Sequence, residues 1–443
     1  MPRHVPGAVD AGGTGKGGWA VVQWTRRGIL RAGTATLLGL GAAGCAGPPA
    51  PGGRSGAAGA ASTGAIPAAA ADRVLVLVVM SGGNDGLNTI IPYNQGQYYD
   101  GRPTIAVPEK QVLPLVSGLG LHPSLKALLP LFHAGSAAAV QGVGYPNPIL
   151  SHFRSMAIWQ TGEPSVQGTT GWLGRYLDAT ASAGEDPLRA VAIGATVPPV
   201  LVGQHTNVPA IGTVPAFDLA GDPRFPGDKA ALRRALAAMY QDAPPDPTFS
   251  ILRGGSSVAY EAAAEVQKAA SGYKPGTGVQ YPSSAFAAEL QLVVRLLAGG
   301  VKTQLFTVGI GGFDDHANEH APYASLLQDL GDSLGAFQQD LAAHGLAGRV
   351  LTVAFSEFGR RVKENASGGT DHGTAGPVFL LGSAVRGGLH GEAPSLAKLD
   401  GTGDLQYTTD FRDVFGTVVD GWLGGSASAV FGGSYGGSGV LRV

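Results

Sequence analysis

An acid and an imidazole stand side by side in the string SGGTDHGTAGPVFLLG, residues 367–382, immediately before an apolar run. Asp371 and His372 are set among glycines, which allow a backbone to approach a ligand closely. A solvated surface turn would explain the glycines alone. A carboxylate beside an imidazole is a typical pair of ligands for a divalent metal ion. A metal or phosphoester site would explain the whole string.

A second cluster of acids and imidazoles lies in GGFDDHANEH, residues 311–320, where Asp314 and His316 are two positions apart. The chain has a single Cys, which excludes both a disulfide framework and a thiolate-based zinc site. A bound metal would therefore be held by oxygen and imidazole donors. Such donors suit zinc, which we prefer, with manganese, magnesium or calcium as alternatives.

A hydroxyl and a guanidinium occur close together in YPNPILSHFR, residues 145–154. Ser151 precedes a predicted helix, whose first backbone N–H groups favour an anion, and Arg154 could hold an oxyanion through two hydrogen bonds. Taken alone, Ser151 is more typical of a helix cap than of a nucleophile. His152 equally fits a core histidine whose nitrogens are satisfied by the backbone.

The chain from residue 72 onward alternates apolar strands with amphipathic helices. This order predicts an α/β fold, an α/β/α sandwich with a mostly parallel central sheet covered by helices on both faces. The stretch 180–282 is less regular and reads as an insertion. The predicted strands cover 73–80, 137–144, 303–310, 349–355 and 377–382, and the predicted helices cover 122–135, 283–300, 323–344 and 409–424.

The candidate residues all follow strand ends. Asp85 comes after the strand at 73–80, Ser151 after 137–144, Asp314 after 303–310 and Asp371 after 349–355. Ligands of open parallel sheets bind at the carboxyl ends of the strands, so we expect these loops to meet at one edge. Two simpler interpretations stay open: Asp85 in GGNDG is a typical turn residue, and SEFGRR could be a salt-bridged turn in which Glu357 pairs with Arg360 or Arg361.

The overall charge argues against one class of partner. The 443 residues include 30 basic and 32 acidic residues, a formal net charge of −2, which provides no electrostatic footprint for a nucleic acid.

The N-terminus predicts export. TRRGILR, residues 25–31, followed by a short uncharged apolar run, is typical of a signal read by the twin-arginine translocase. The run is too short and too glycine-rich to span a bilayer stably, so we expect no transmembrane span in the mature protein. LGAAGC resembles a lipobox, although Ala42 stands where Leu is preferred. A lipid anchor at Cys45 and a product cut nearby are alternatives, and they imply a cell-surface lipoprotein or a periplasmic or extracellular protein.

Three regions follow from these patterns. Residues 1–45 form the signal region, 46–71 a flexible linker rich in Ala, Gly and Pro, and 72–443 the catalytic domain with its insertion at about 180–282.

Several long motifs together resemble a known family. The twin-arginine start, SGGNDGLNTIIP, SHFRSMAIWQTG, GGFDDHANEH, FSEFGRRVKENASGGTDHGTAGPVFLLG and TTDFRDVF resemble the exported domain-of-unknown-function family 1501. The resemblance covers about residues 72 to 424. It implies the alkaline phosphatase and sulfatase-like superfamily, hence an α/β/α sandwich and descent from metal-dependent hydrolases of phosphate or sulfate esters.

Carried over residue by residue, the resemblance implies a nucleophile and a metal set. Ser151 occupies the place of the Ser or Thr nucleophile. From the residues themselves, and not from the resemblance, we expect Arg154 to steady the non-bridging oxygens of the substrate. The implied metal ligands, for one or two divalent ions, are Asp85, Asp314, His316, Asp371 and His372.

The sequence also departs from the superfamily pattern. The acid and imidazole of the second loop are usually four positions apart, and a final His ligand near the C-terminus is expected, whereas His390 is the only His after His372. The sulfatase motif Cys/Ser-x-Pro-x-Arg is missing, which favours phosphate over sulfate esters. The sequence thus predicts an exported metal-dependent ester hydrolase. The alternative is a cell-envelope binding or assembly protein that keeps the fold without catalysis.

Overall fold

The apolar segment 73–80, predicted as the first strand, lies near the middle of the main sheet. Its β-branched side chains suit a strand that is buried on both faces. The computed structural model describes residues 68–165, 168–182, 186–215, 217 and 261–442, with five isolated positions between 231 and 238. The predicted signal region and nearly all of the predicted linker lie outside these residues.

Fourteen strands occur in the described part of the chain, and they form one large and two small sheets. The large sheet has nine strands in the order β13-β5-β12-β9-β1-β8-β6-β7, with β14 also paired to β5. The strands are β1 (Val74–Ser81), β2 (Ile90–Ile91), β3 (Leu113–Val116), β4 (Leu119–Leu121), β5 (Ala137–Gly144), β6 (Ala190–Ile193), β7 (Ala210–Ile211), β8 (Leu305–Gly311), β9 (Val350–Ser356), β10 (Arg360–Glu364), β11 (Thr370–His372), β12 (Gly376–Leu381), β13 (Gly388–His390) and β14 (Thr409–Asp410).

The strand directions confirm the prediction of a mostly parallel sheet. β1 is parallel to β8 and β9, whereas β12 is antiparallel to both β9 and β5. It follows that β1, β5, β8 and β9 all end at the same edge, and that β12 begins there. The loops that carry the candidate residues therefore meet at one edge of the sheet.

The helices largely match the prediction in position but less well in length. The segment expected as a helix over 122–135 is divided into a 3₁₀ turn, Pro123–Leu125, and a short helix, because Pro130 has no N–H to continue a longer one. The helices are α1 (Ala68–Ala71), α2 (Gly86–Thr89), α3 (Gly96–Gly101), α4 (Leu129–His133), α5 (His152–Thr161), α6 (Trp172–Ala179), α7 (Ala285–Ala298), α8 (His320–Ala343), α9 (Phe411–Thr417) and α10 (Ala427–Phe431).

The described residues also contain shorter helical segments. Residues 261–271 are also helical, and α9 continues into one π-helical turn, so the predicted helix over 409–424 is present with a changed pitch. The remaining pieces are the 3₁₀ turns Glu109–Gln111 and Pro199–Leu201 and the π turn Val418–Trp422.

Both faces of the main sheet are covered by helices, as an α/β/α sandwich requires. Alternate residues of β1 divide between two apolar clusters: Val76 belongs to the cluster that contains α7 and α8 residues, and Leu77 to the cluster that contains α5, α6 and α9 residues. Residues next to each other in a strand point to opposite faces, so an unbroken apolar run supplies both layers.

The region expected to be an insertion contributes to the main sheet. β6 pairs with β8, and β7 pairs with β6, so residues 190–211 extend the sheet at one edge. Most of residues 216–260 lie outside the described part of the chain. Among the described helices, we find none with both the length and the apolar character that crossing a bilayer requires.

Candidate metal centre

Four polar side chains meet at the edge where the parallel strands end. The loop after β8 supplies Asp314 and His316, α5 begins with His152, and β11 ends with His372. Glycine at the end of β1 permits this close approach: Gly82 has φ +122°, and a Cβ there would lie 2.5 Å from the Asp314 nitrogen. We call these four residues the His/Asp cluster.

The ligand atoms of His152, Asp314 and His372 all lie within 4.8 Å of one another, and His316 contacts the last two of these residues. Asp314 Oδ1 is 2.9 Å from His316 Nε2, 3.2 Å from His152 Nε2 and 3.3 Å from His372 Nε2. The Nε2 atoms of His316 and His372 are 3.0 Å apart. Three imidazole nitrogens around one carboxylate oxygen are a donor set that zinc prefers.

His152 is held by a buried carboxylate. Its Nδ1 lies 2.8 Å from Glu357 Oε1, and Glu357 also accepts hydrogen bonds from the Gly82 nitrogen and the Ser356 hydroxyl. A carboxylate partner places the proton of the ring on Nδ1 and leaves the lone pair of Nε2 facing the cluster. That Nε2 atom is buried and forms no hydrogen bond, although Asp314 Oδ1 lies 3.2 Å away, and an unsatisfied buried nitrogen costs free energy unless a ligand binds it.

His372 is oriented in the same way by a backbone carbonyl. Its Nδ1 donates to the Leu150 oxygen at 2.8 Å, and because a carbonyl can only accept, Nδ1 carries the proton. Nε2 therefore presents its lone pair to Asp314. The Phe358 ring packs against both imidazoles, with centroids 4.8 Å from His152 and 4.8 Å from His372. His152 and His372 thus fit the ligands of a divalent metal, because a hydrogen-bond partner holds the Nδ1 side of each ring and leaves Nε2 available.

Asp371, predicted as a ligand, contacts His316 instead of contributing an atom to the cluster. Its Oδ1 lies 3.4 Å from His316 Nδ1 and accepts a hydrogen bond from Asn365 at 3.2 Å. The hydrogen bond from Asn365, assisted by His316, keeps the pKa of the Asp371 carboxyl below its usual value. We infer that Asp371 orients the imidazole of His316.

Arg360 connects Asp314 to the surrounding loops. Burial by itself would raise the pKa of Asp314, but Arg360, at 2.7 Å from Oδ1, outweighs it and lowers that pKa to about 2. The alternative of a salt-bridged turn is not observed: Arg360 pairs with Asp314, Arg361 pairs with Asp404, and Glu357 contacts His152. The buried guanidinium also donates to backbone carbonyls of three loops, those of Gly82, Gly83, Phe313 and Thr370.

Asp85 is not brought to the cluster. It is buried at the start of α2, where its oxygens accept two hydrogen bonds from Arg102 and one from the Leu87 nitrogen. Burial opposes ionisation, but the Arg102 charge dominates and holds the pKa of Asp85 below its usual value. The Arg102 guanidinium is paired with this carboxylate, so the structure places Asp85 in a buried ion pair and not beside the other predicted ligands. Burial and the Asp85 charge raise the pKa of nearby Glu319 to about 9, which favours its neutral form.

Ser151 lies beside the cluster, directly before His152. Its side chain is exposed and does not cap α5, so the helix-cap interpretation is not supported. Arg154 is partly buried in the first turn of the same helix. The structure thus places both residues at the helix end that begins at the cluster, with the Ser151 hydroxyl accessible to solvent.

Two residues of the site were not predicted. Neither is among the predicted ligands: in the sequence, His152 also fits a core histidine and Glu357 also fits a salt-bridged turn. The available signal is position: His152 is adjacent to Ser151, and Glu357 is the second residue after the predicted strand 349–355. Both therefore lie at the same sheet edge as the other candidates.

We expect Glu357→Gln to weaken zinc binding by about 10- to 100-fold, because the amide orients His152 less firmly and lowers its basicity. Titration of the metal-free protein with zinc measures this. Glu289→Gln is the matched control, since Glu289 also accepts a hydrogen bond from a backbone nitrogen, that of Gly309. Equal zinc affinity in wild type and Glu357→Gln would exclude a role for Glu357 in the site.

No curated protein matches the sequence at a significant level. Solved structures with a similar arrangement include a phosphonate monoester hydrolase of Agrobacterium radiobacter, with 10% identity, a TM-score of 0.32 and coverage of 82% of this chain and 78% of that one. A sulfatase from Pseudoalteromonas sp. has 12% identity, a TM-score of 0.31 and coverage of 73% and 65%.

A third similar structure is an alkaline phosphatase from the Antarctic bacterium TAB5, with 12% identity, a TM-score of 0.28 and coverage of 71% of this chain and 94% of that one. Family membership is established by sequence. The model of the family described as protein of unknown function (DUF1501) matches residues 121–424, more than half of the chain. The chain therefore belongs to the DUF1501 family.

Proposed function

We propose that this protein is an exported, metal-dependent hydrolase of phosphate esters, or of sulfate esters. The observation that carries the proposal is the orientation of His152 and His372. Each ring has one nitrogen bound to an acceptor and the other directed at Asp314. Two imidazoles arranged in this way are poorly explained as ordinary surface residues and well explained as metal ligands.

His152, Asp314, His316 and His372 would hold the metal, and zinc suits this donor set better than magnesium or calcium, which prefer oxygen ligands. When bound, a divalent ion polarises an ester oxygen and lowers the pKa of a nucleophile. Arg360 keeps Asp314 ionised, and Glu357 and the Leu150 carbonyl keep two imidazoles in the tautomer that can bind metal.

Ser151 is the proposed nucleophile. Its hydroxyl gives up its proton to water as the oxygen attacks phosphorus, forming a Ser–O–P bond while the bond to the alcohol oxygen breaks, and the leaving alkoxide takes up a proton from solvent. Water then cleaves the Ser–O–P bond, which releases phosphate and restores the hydroxyl. Arg154 and the backbone N–H groups at the start of α5 would stabilise charge on the non-bridging oxygens.

We expect Ser151→Ala to retain its metal and to lose turnover by at least about 10³-fold, because only the attacking atom is removed. The measurement combines elemental analysis of the exported full chain with assays on p-nitrophenyl phosphate, its diester and the sulfate. Ser325→Ala is the control, since Ser325 is exposed on α8 and its hydroxyl bonds to the Ala321 carbonyl. Full turnover in Ser151→Ala would assign the attack to water instead.

A second candidate function is a non-catalytic cell-envelope binding or assembly protein with the same metal. Two observations favour it. Among the described residues, only one group of acids and imidazoles has ligand atoms close enough to share a metal ion, and Asp85 forms an ion pair with Arg102. This protein would contain zinc but would hydrolyse none of the three esters. Turnover that depends on Ser151 would exclude it.

A further inference from the structure

Phe153 is an apolar side chain that the fold leaves in solvent. It is 92% exposed, whereas no other exposed large apolar side chain in the described residues exceeds 49%. Leaving a phenyl ring in water forgoes the free energy that burial would provide. Phe153 immediately follows His152 in the chain.

The position of Phe153 relative to the cluster follows from helix geometry. His152 and Phe153 are the first two residues of α5, and side chains of a helix lean toward its N-terminus. The Phe153 ring therefore leans toward Ser151, at the helix end that begins at the His/Asp cluster. The exposed hydroxyl of Ser151 and the exposed ring of Phe153 share that end.

The segment before α5 is held firmly and carries a second exposed apolar residue. Ile149 is 38% exposed, and its backbone nitrogen donates to the Tyr145 hydroxyl at 3.0 Å. The next carbonyl, that of Leu150, accepts the hydrogen bond from His372. Ile149 and Phe153 thus flank Ser151 and His152 on a segment whose backbone is fixed to the site.

We propose that Phe153, together with Ile149, is the specificity-determining apolar wall of the substrate site, and that it selects esters whose alcohol part is an aromatic ring. This inference rests on the proposed function. The His/Asp cluster and Arg154 recognise the phosphoryl group, whereas Phe153 offers a ring face on which an aromatic group stacks. The substrate class is therefore aryl esters of phosphate, with a charged end and a flat apolar end.

Binding of non-hydrolysable ligands tests this inference without turnover. Phenylphosphonate and methylphosphonate carry the same charged group and differ in the ring alone. We expect the zinc-loaded full chain to bind phenylphosphonate about tenfold more tightly in calorimetry. Phe153→Ala should remove that preference, with an unchanged Kd for methylphosphonate and unchanged zinc content. Phe153→Tyr should keep the preference.

The matched control is Val116→Ala, another exposed apolar residue, in β3, which should leave both Kd values unchanged. Equal loss of both ligands in Phe153→Ala would mean that the ring has a structural role, and an unchanged preference would mean that it has no contact with the ligand. Either result overturns the inference while the proposed function stands. A zinc-containing wild type that binds neither phosphonate overturns the proposed function, and the inference with it.

Sedimentation tests whether a second copy of the chain, instead of a substrate, packs against Phe153. If Phe153→Ala converts a dimer into a monomer and leaves the phenylphosphonate preference intact, the ring packs against a second copy of the chain and the inference is wrong.

Discussion

His372→Ala is expected to lose its zinc and all measurable ester hydrolysis while keeping the wild-type fold. In the proposed metal site the imidazole supplies a ligand atom, because its partner, the Leu150 carbonyl, orients Nε2 toward Asp314. Its side chain is 21% exposed, so its removal leaves a site that water can fill and costs little stability. Elemental analysis, thermal unfolding and the phosphate ester assay measure the three expectations.

Two further substitutions make this experiment specific. His390→Ala is the control, because His390 bonds to the Arg386 carbonyl and should retain zinc and turnover. Asp371→Ala should reduce zinc affinity less than His372→Ala does, because Asp371 reaches only the far nitrogen of His316. Complete loss of zinc in Asp371→Ala, or retention in His372→Ala, would contradict the ligand set. His152→Ala is less informative, since it also deprives the buried carboxylate of Glu357 of its partner.

Arg102→Met is expected to destabilise the protein by about 3–5 kcal/mol, because it leaves the Asp85 carboxylate buried without its counter-charge. Both side chains are at most 1% exposed, and the same guanidinium also donates to the carbonyls of Arg361 and Val362. Urea unfolding at pH 7 measures the loss. Arg442→Met should change stability by less than about 1 kcal/mol, because Arg442 is exposed and donates to a single carbonyl.

The pH dependence of this loss has a defined sign. In the wild type the pKa of Asp85 is lower in the folded than in the unfolded state. Ionised Asp85 therefore stabilises the fold at pH values above its unfolded-state pKa, and this stabilisation is lost as the pH falls through its folded-state pKa. In Arg102→Met the buried carboxyl takes up a proton readily, so the gap between wild type and variant should shrink from pH 7 toward pH 4. A gap that widens toward acid would exclude the ion pair as the cause, and Asp85→Asn with Arg102→Met should restore part of the lost stability.

Much of the fold follows from local sequence. The apolar runs at 73–80, 303–310 and 349–355 appear as β1, β8 and β9, because β-branched residues in a run bordered by Gly suit a doubly covered strand. The helix over 122–135 was wrong in length, since its apolar spacing was helical but Pro130 prevented one continuous helix. β6 and β7 were not predicted because four-residue and two-residue strands carry too little periodicity to distinguish them from loops.

The site was predictable in location but less so in the role of each residue. Asp314, His316 and His372 meet because β8 ends, and β12 begins, at one edge of the sheet. Asp371 and His372 are neighbours in β11, and neighbours in a strand point in opposite directions. His372 therefore faces Asp314, whereas Asp371 contacts the Nδ1 atom of His316, on the side of that ring away from Asp314. Because Asp371 and His372 are adjacent in one strand, they cannot both direct their side chains at Asp314.

The sequence by itself determined the alternation of strands and helices, the edge at which the polar loops gather, and the exclusion of thiolate ligands, because these depend on residue type and on spacing along the chain. The tertiary structure alone decided which donors meet in the His/Asp cluster. Arg102, 17 positions from Asp85, removes that carboxylate from the site, and Glu357, 205 positions from His152, brings that imidazole into it. Pairings over such distances depend on how the layers pack, and no local pattern encodes them.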